Sequence, residues 1–102
     1  MSKLQVTKLE VGSIVLSDGV HNKIIESQLF MDFVYNCLER HKFSDWRDMC
    51  IEDQNANQCA LNEYRRILAS YSIPFKSFDN YKLWIITEAD RTITTILFPY
   101  EY

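Results

Sequence analysis

Glycine and proline are scarce in this sequence, with two residues of each in 102. Disordered and low-complexity chains are usually rich in such residues and poor in apolar ones, whereas 47% of this chain is hydrophobic and 14% is aromatic. A chain of this length can bury one core and is too short for two. The composition therefore predicts one folded domain over residues 1–102.

An excess of positive charge is also lacking, because 11 basic side chains stand against 14 acidic ones and the net charge is -3. Proteins that follow phosphates need a basic stripe, so we expect no direct nucleic-acid binding. No run approaches the roughly 20 apolar residues that cross a bilayer, and the start MSKLQVTKLE lacks the apolar core of a signal peptide. We therefore expect a cytoplasmic protein with no membrane partner.

Cysteine is present in an odd number, as Cys37, Cys50 and Cys59. Without an export signal this favours reduced thiols over a disulfide framework. Their spacing differs from the close Cys/His pairs of zinc sites, and the sequence has neither a glycine-rich phosphate loop nor a nucleophile elbow. We therefore expect no metal and no cofactor.

The first half of the chain predicts a strand and a helix. Residues 11–16 are rich in β-branched side chains, and Ser17-Asp18-Gly19 is a turn signal. Ser27 is a suitable N-cap for a helix. The apolar stripe that follows has helical spacing and contains Phe30, Phe33, Val34, Cys37, Leu38 and His41.

A second helix is predicted from about residue 51 to residue 68. Its apolar positions are Ala56, Cys59, Ala60, Tyr64, Ile67 and Leu68. Glu52 and Asp53 would lie in its first turn and Arg65 and Arg66 in its last, where their charges complement the helix dipole.

The last third predicts strands at about residues 82–87 and 92–98, with another short strand at residues 70–73. We expect an α+β fold, with two amphipathic helices packed on a small antiparallel β-sheet in the order β-α-α-β-β-β. The final strands are apolar on both faces, so they need cover on both sides. Either the sheet is strongly curved or a second subunit covers its outer face, which leaves a homodimer as one alternative.

The two final strands are joined by the charged segment Glu88-Ala89-Asp90-Arg91. Because the segment has no glycine, a two-residue turn is disfavoured and a longer hairpin loop is predicted. We expect Arg91 to pair with a carboxylate across this loop.

The closing string WIITEADRTITTILFPYEY, over residues 84–102, is the most distinctive in the chain. Together with Arg40-His41, Asp45-Trp46 and Glu52-Asp53, it resembles a widespread family of small proteins carried on plasmids, integrative elements and phages. Members read approximately RHxSGDWGDxxxED, NxxAL and IITEADRSxTTxLxPxEY, and they often carry labels such as plasmid-related protein or restriction-modification subunit. The resemblance runs from about residue 12 to residue 102 and implies a mobile-element accessory protein.

The sequence departs from the family pattern at glycines. Ser44 and Arg47 stand where the pattern has glycines around the Asp-Trp pair, and Tyr64 stands where a glycine often precedes the arginine.

The interaction hypothesis makes this protein an inhibitor or modulator of a host protein that handles DNA, such as a restriction or CRISPR effector. Trp46, beside Asp45 and Asp48, would be an aromatic anchor for a basic partner, and it is equally compatible with a position in the core. Side chains of the hairpin would contribute to the same kind of surface, namely Glu88, Asp90 and Arg91.

The alternative hypothesis is a small enzyme or ligand-binding protein. His41 would act as a general base oriented by Asp45 or Glu52, and Arg91 would hold an anion. A metal site would use His41, Asp45 and Glu52 or Asp53, although one histidine with carboxylates is a weak ligand set.

Overall fold

The computed structural model describes residues 8–76 and 82–102. Its elements are, in chain order, β1 (Ser13–Leu16), α1 (Asp18–Glu26), α2 (Gln28–Lys42), α3 (Ile51–Asn62), β2 (Ile67–Ser72), β3 (Lys82–Thr87), β4 (Ile93–Leu97) and a 3-10 turn (Pro99–Glu101). The α+β class is confirmed. The described part of the chain has three helices, whereas two were predicted.

The four strands form one sheet in the order β1-β4-β3-β2. Strands β2, β3 and β4 are antiparallel to their neighbours, but β1 runs parallel to β4, with Ser13 opposite Ile93 and Leu16 opposite Ile96. The prediction of an antiparallel sheet was therefore wrong at this edge. A parallel pair needs a long connection, and all three helices and two strands separate β1 from β4 in sequence.

Helix α1 replaces the predicted turn after β1. Ser17 is its N-cap, and the Ser17 hydroxyl accepts a hydrogen bond from the backbone N–H of Val20. Ser27 then breaks the helical path with extended dihedral angles and caps α2 through the N–H of Phe30, as predicted. The serine that was read as a turn signal is thus the start of a helix.

Helices α2 and α3 both end on a residue in the left-handed region. After α2, Ser44 has φ 59° and the N–H of Asp45 donates to the carbonyl of Arg40. After α3, Tyr64 has φ 54° and the N–H of Arg65 donates to the carbonyl of Ala60. Both ends have the six-to-one hydrogen bond of a Schellman motif, in which the left-handed position is usually glycine.

The early end of α3 corrects the prediction of a helix to residue 68. Arg65 and Arg66 lie beyond the helix, and Ile67 and Leu68 begin β2, which contains most of the strand predicted at residues 70–73. The buried face of α3 is formed by Asn57 and Ala60. The prediction extended the apolar stripe through Tyr64, although the left-handed backbone of that residue lies beyond the end of the helix. The predicted stripe therefore differs from the buried face that is observed.

The core lies between the helices and one face of the sheet. The predicted stripe of α2 is confirmed, since Phe30, Val34, Cys37 and His41 are buried and Phe33 and Leu38 pack against the core. On the outer face of the sheet, β3 has the apolar side chains Trp84 and Ile86, as the strand pattern predicted, and the chain's last residue packs on Trp84. The ring of Tyr102 lies 5.6 Å from that of Trp84, and its hydroxyl accepts a hydrogen bond from Arg66.

Candidate functional site

The charged segment of the hairpin forms a loop longer than two residues, as predicted. The N–H of Arg91 donates to the carbonyl of Glu88 at 2.9 Å, and Arg91 adopts φ 63°. The carboxylate of Asp90 accepts hydrogen bonds from the backbone and hydroxyl of Thr92. Glu88 forms an exposed ion pair with Arg66 at 3.3 Å, and such pairs contribute little stability.

The Arg91 side chain turns inward and corrects the prediction of a carboxylate partner. Its guanidinium donates to the backbone carbonyls of Arg65 at 2.8 Å, of Glu88 at 3.1 Å and of Ala60 at 3.1 Å. It also lies 5.3 Å from the centre of the Tyr64 ring. Arg91 therefore ties the hairpin to the C-terminal end of α3, where a cation complements the helix dipole.

His41 is fully buried in a chain of hydrogen bonds that crosses the core. The indole N–H of Trp46 lies 3.1 Å from Nδ1 of His41, and Nε2 of His41 lies 2.9 Å from the hydroxyl of Thr87. The Thr87 hydroxyl is 2.7 Å from that of Thr94, which donates to the carbonyl of Val11 at 2.7 Å.

Only one arrangement of protons satisfies every member of this chain. Because indole nitrogen can only donate, Nδ1 of His41 must accept and Nε2 must carry the proton. The hydroxyls of Thr87 and Thr94 then each accept one bond and donate the next. Burial, with the positive charge of Arg91 as a second cause, lowers the pKa of His41 to about 3.

The structure does not bring His41, Glu52 and Arg91 together as the catalytic alternative requires. Both ring nitrogens of His41 have partners in the core, so its neutral ring is not placed to take a proton from a bound substrate. Glu52 lies exposed in the first turn of α3, whereas Arg91 binds Ala60 eight residues further along. At 1.5 Å per residue the two positions are about 12 Å apart along the helix axis.

The acidic segment after α2 is neutralised by its own arginines. Arg40 pairs with Asp45 at 2.9 Å and with Asp48 at 3.1 Å, and Arg47 pairs with Asp45 at 2.9 Å. Hydrogen bonds from Arg40 and then from Arg47 lower the pKa of Asp45 below its usual range. Asp48 also accepts a hydrogen bond from the backbone of Ser72 in β2. These carboxylates position the loop against the sheet.

Trp46 lies in the core with 2% of its surface exposed. Trp46 is therefore not exposed as a surface anchor. Its observed position is the alternative one, in the core. Its indole N–H has a buried acceptor in His41, as buried tryptophans usually require.

The cysteines are free, as predicted, with Cys37 buried and Cys50 and Cys59 exposed. Within residues 8–76 and 82–102 there is no group of three or more His, Cys, Asp or Glu side chains that could hold a metal ion. None of the helices in those ranges is long and apolar enough to cross a membrane.

The two edges of the sheet differ in a way that the sequence analysis missed. At the β2 edge, Asn57 donates to the carbonyl of Leu68 and Asp48 accepts the N–H of Ser72, so side chains cover backbone groups. At the opposite edge, β1 has one sheet neighbour among the described strands. The string SIVL has neither the lysine nor the proline that protects exposed edges, but that absence becomes informative only once the strand order places β1 at an edge.

The open side of β1 presents both backbone groups and apolar side chains. Ser13 and Ser17 donate to carbonyls on the β4 side, at Thr92 and Ile96, and alternation directs the N–H and carbonyl groups of Ile14 and Leu16 away from the sheet. The side chains of Ile14 and Val15 lie on opposite faces and are 40% and 45% exposed.

A scan against protein-family models, a search of curated proteins and a search of solved structures each found no match to this chain.

Proposed function

We propose that this protein acts by protein–protein interaction and that its partner adds an extended strand to the open side of β1. In this mode, main-chain hydrogen bonds supply affinity and alternate side chains supply specificity. The resemblance to mobile-element proteins supports the biological setting. In that setting the protein is a cytoplasmic accessory factor that inhibits or modulates a host DNA-handling or defence protein, such as a restriction or CRISPR effector.

The β1 edge, which no other described strand covers, is the observation that carries the proposal. Ile14 and Leu16 together present two N–H and two carbonyl groups on that side, enough for a short ladder. Val15 and Ile93 are exposed on the outer face and Ile14 on the other, so the edge is apolar on both sides. The partner strand should therefore carry apolar side chains at successive positions, which would face both surfaces of the extended sheet.

In this proposal the acidic segment after α2 has a structural role and is not the interaction surface. Asp45, Asp48 and the buried Trp46 hold the loop after α2 against the far end of the sheet. The interaction surface proposed here is instead at β1, on the opposite edge.

The test is affinity capture with variants at Ile14. Ile14→Pro removes an outward N–H while keeping the N–H groups of Ser13 and Val15 that face β4. Ile14→Thr changes the same side chain and keeps the N–H, so it is the matched control. Tagged wild type and both variants are incubated with nuclease-treated lysate of the native host, after circular dichroism has shown that all three are folded.

We expect a stoichiometric partner on wild type and Ile14→Thr that is lost on Ile14→Pro. Equal capture by all three proteins would exclude strand addition at β1. If light scattering shows that the wild type is a dimer and Ile14→Pro is a monomer, the β1 edge binds a second copy of this chain and not another protein.

A further inference from the structure

A cleft lies beside Arg91, and its described lining residues do not include those of β1. Two adjoining cavities of about 360 and 630 Å³ share the lining residues Lys8, Leu9, Glu10 and Arg91. The smaller extends to the end of α3 and the larger to Lys42. We treat them together as the Arg91 cleft, and each has a volume in the usual range for small-molecule sites.

The charge of the Arg91 cleft is opposite to that of the whole protein. Among the described residues that line it, Lys8, Lys42 and Arg91 are basic and Glu10 is the one acidic residue, in a protein of net charge -3. Lys42 is paired with Glu39 at 2.9 Å. Among the described residues, no carboxylate lies within ion-pair distance of Lys8 or Arg91. The Lys8 ammonium lies 5.6 Å from the centre of the Phe43 ring, a contact that does not neutralise its charge.

The guanidinium of Arg91 is already fixed in place. It is 8% exposed, and three backbone carbonyls and the ring of Tyr64 hold it. An arginine has five N–H groups, so its three bonds to backbone carbonyls leave two that have no acceptor among the described residues. A guanidinium held in this way loses little side-chain entropy on binding, and pairing with an oxyanion compensates the cost of its buried charge.

We propose that the Arg91 cleft binds a small organic oxyanion, either a carboxylate or a phosphate. Arg91 donates to the anion from the base of the cleft, and Lys8 supplies a second positive charge at its rim. The amides of Gln58 and Asn62 and the side chain of Leu61 line the space for the remainder of the ligand. Strong charge-assisted hydrogen bonds are the expected source of affinity.

The experiment titrates the full chain with inorganic phosphate and separately with malonate, at constant ionic strength, and follows the nitrogen–proton NMR spectrum. The signals to watch are the Nε–H of Arg91 and the backbone amides of residues 9–12. Lys8→Gln is the test variant because it removes a charge without removing a backbone contact. Lys82→Gln is the matched control, since Lys82 lies exposed on β3 and donates to Ser72.

Saturable shifts of the Arg91 Nε–H are expected, with affinity about tenfold weaker in Lys8→Gln and unchanged in Lys82→Gln. Saturation by phosphate alone assigns the ligand class to phosphates, and saturation by malonate alone assigns it to carboxylates. Linear shifts with both anions, or equal affinity in Lys8→Gln and wild type, would overturn the proposal.

Discussion

The indole N–H of Trp46 donates to Nδ1 of His41 at 3.1 Å, within the core. Two residues that the sequence analysis placed in different hypotheses, one as a surface anchor and one as a general base, are thus partners in a structural pair. The pair holds the loop after α2 against that helix, and through Thr87 and Thr94 it is joined to β3 and β4.

The burial of His41 predicts that stability falls in mild acid. Its pKa is lowered to about 3 in the folded protein from an ordinary 6.5, so the unfolded chain binds a proton below pH 6.5 that the folded protein does not bind until about pH 3. As the pH falls from 6.5 to about 3, the free energy of unfolding should decrease by up to about 1.4 kcal/mol per pH unit. Urea unfolding at pH 7, 6 and 5 measures the slope.

Variants of the two histidines separate this contribution from others. His41→Gln should be less stable than wild type at pH 7 and should have a shallower slope between pH 7 and pH 5. His21→Gln should keep the wild-type slope, because His21 lies exposed on α1. A wild-type free energy of unfolding that does not change between pH 7 and pH 5 would contradict the assignment of a buried neutral His41.

Replacing Ser44 by glycine should stabilise the protein by roughly 1 kcal/mol. Ser44 has φ 59°, a region that glycine occupies at no steric cost, and its buried hydroxyl has no hydrogen-bond partner among the described residues. Ser44→Ala removes the hydroxyl and keeps the strained Cβ, so it isolates the backbone contribution. Thermal unfolding of the three proteins compares them, and a Ser44→Gly variant no more stable than Ser44→Ala would be inconsistent with strain at this position.

Loss of the Arg91 guanidinium should destabilise the fold by roughly 2 to 4 kcal/mol, because one buried and two part-buried carbonyls would lose their donor. Arg91→Met keeps much of the apolar stem and removes the donors to Ala60, Arg65 and Glu88. Arg66→Met is the control, since the Arg66 side chain is 45% exposed and its ion pair with Glu88 should contribute under about 1 kcal/mol. Equal midpoints of urea unfolding in both variants would show that Arg91 is not a structural tie.

The three thiols should react in two classes. Cys50 and Cys59 are exposed, whereas Cys37 is 1% exposed and burial raises its pKa to about 12. A thiol-specific reagent at pH 8 should modify two groups per native chain rapidly and the third only as the protein unfolds. Rapid reaction of all three thiols in the native protein would indicate that α2 does not pack as the structure shows.

The helix ends show where sequence patterns were insufficient. The period of α2 and its Ser27 cap could be predicted because both are local features. The end of α3 was missed because Tyr64 occupies the left-handed position that glycine usually signals.

The candidate site depended on contacts that local patterns do not contain. Arg91 finds its acceptors at Ala60 and Arg65, about 26 to 31 residues earlier in the chain. His41 is paired with Thr87, 46 residues away. The parallel pairing of β1 with β4 is equally remote in sequence, so neither the protected β2 edge nor the open β1 edge could be assigned before the strand order was known.

Hydrogen exchange at β1 is the most direct measurement of the central claim. In the free protein, the amides of Ile14 and Leu16 should exchange rapidly, while that of Val15 should be protected by its bond to β4. On addition of the partner captured by wild type and lost by Ile14→Pro, the Ile14 and Leu16 amides should become protected. Amides of Ile14 and Leu16 that exchange at the same rate with and without that partner would contradict strand addition at this edge.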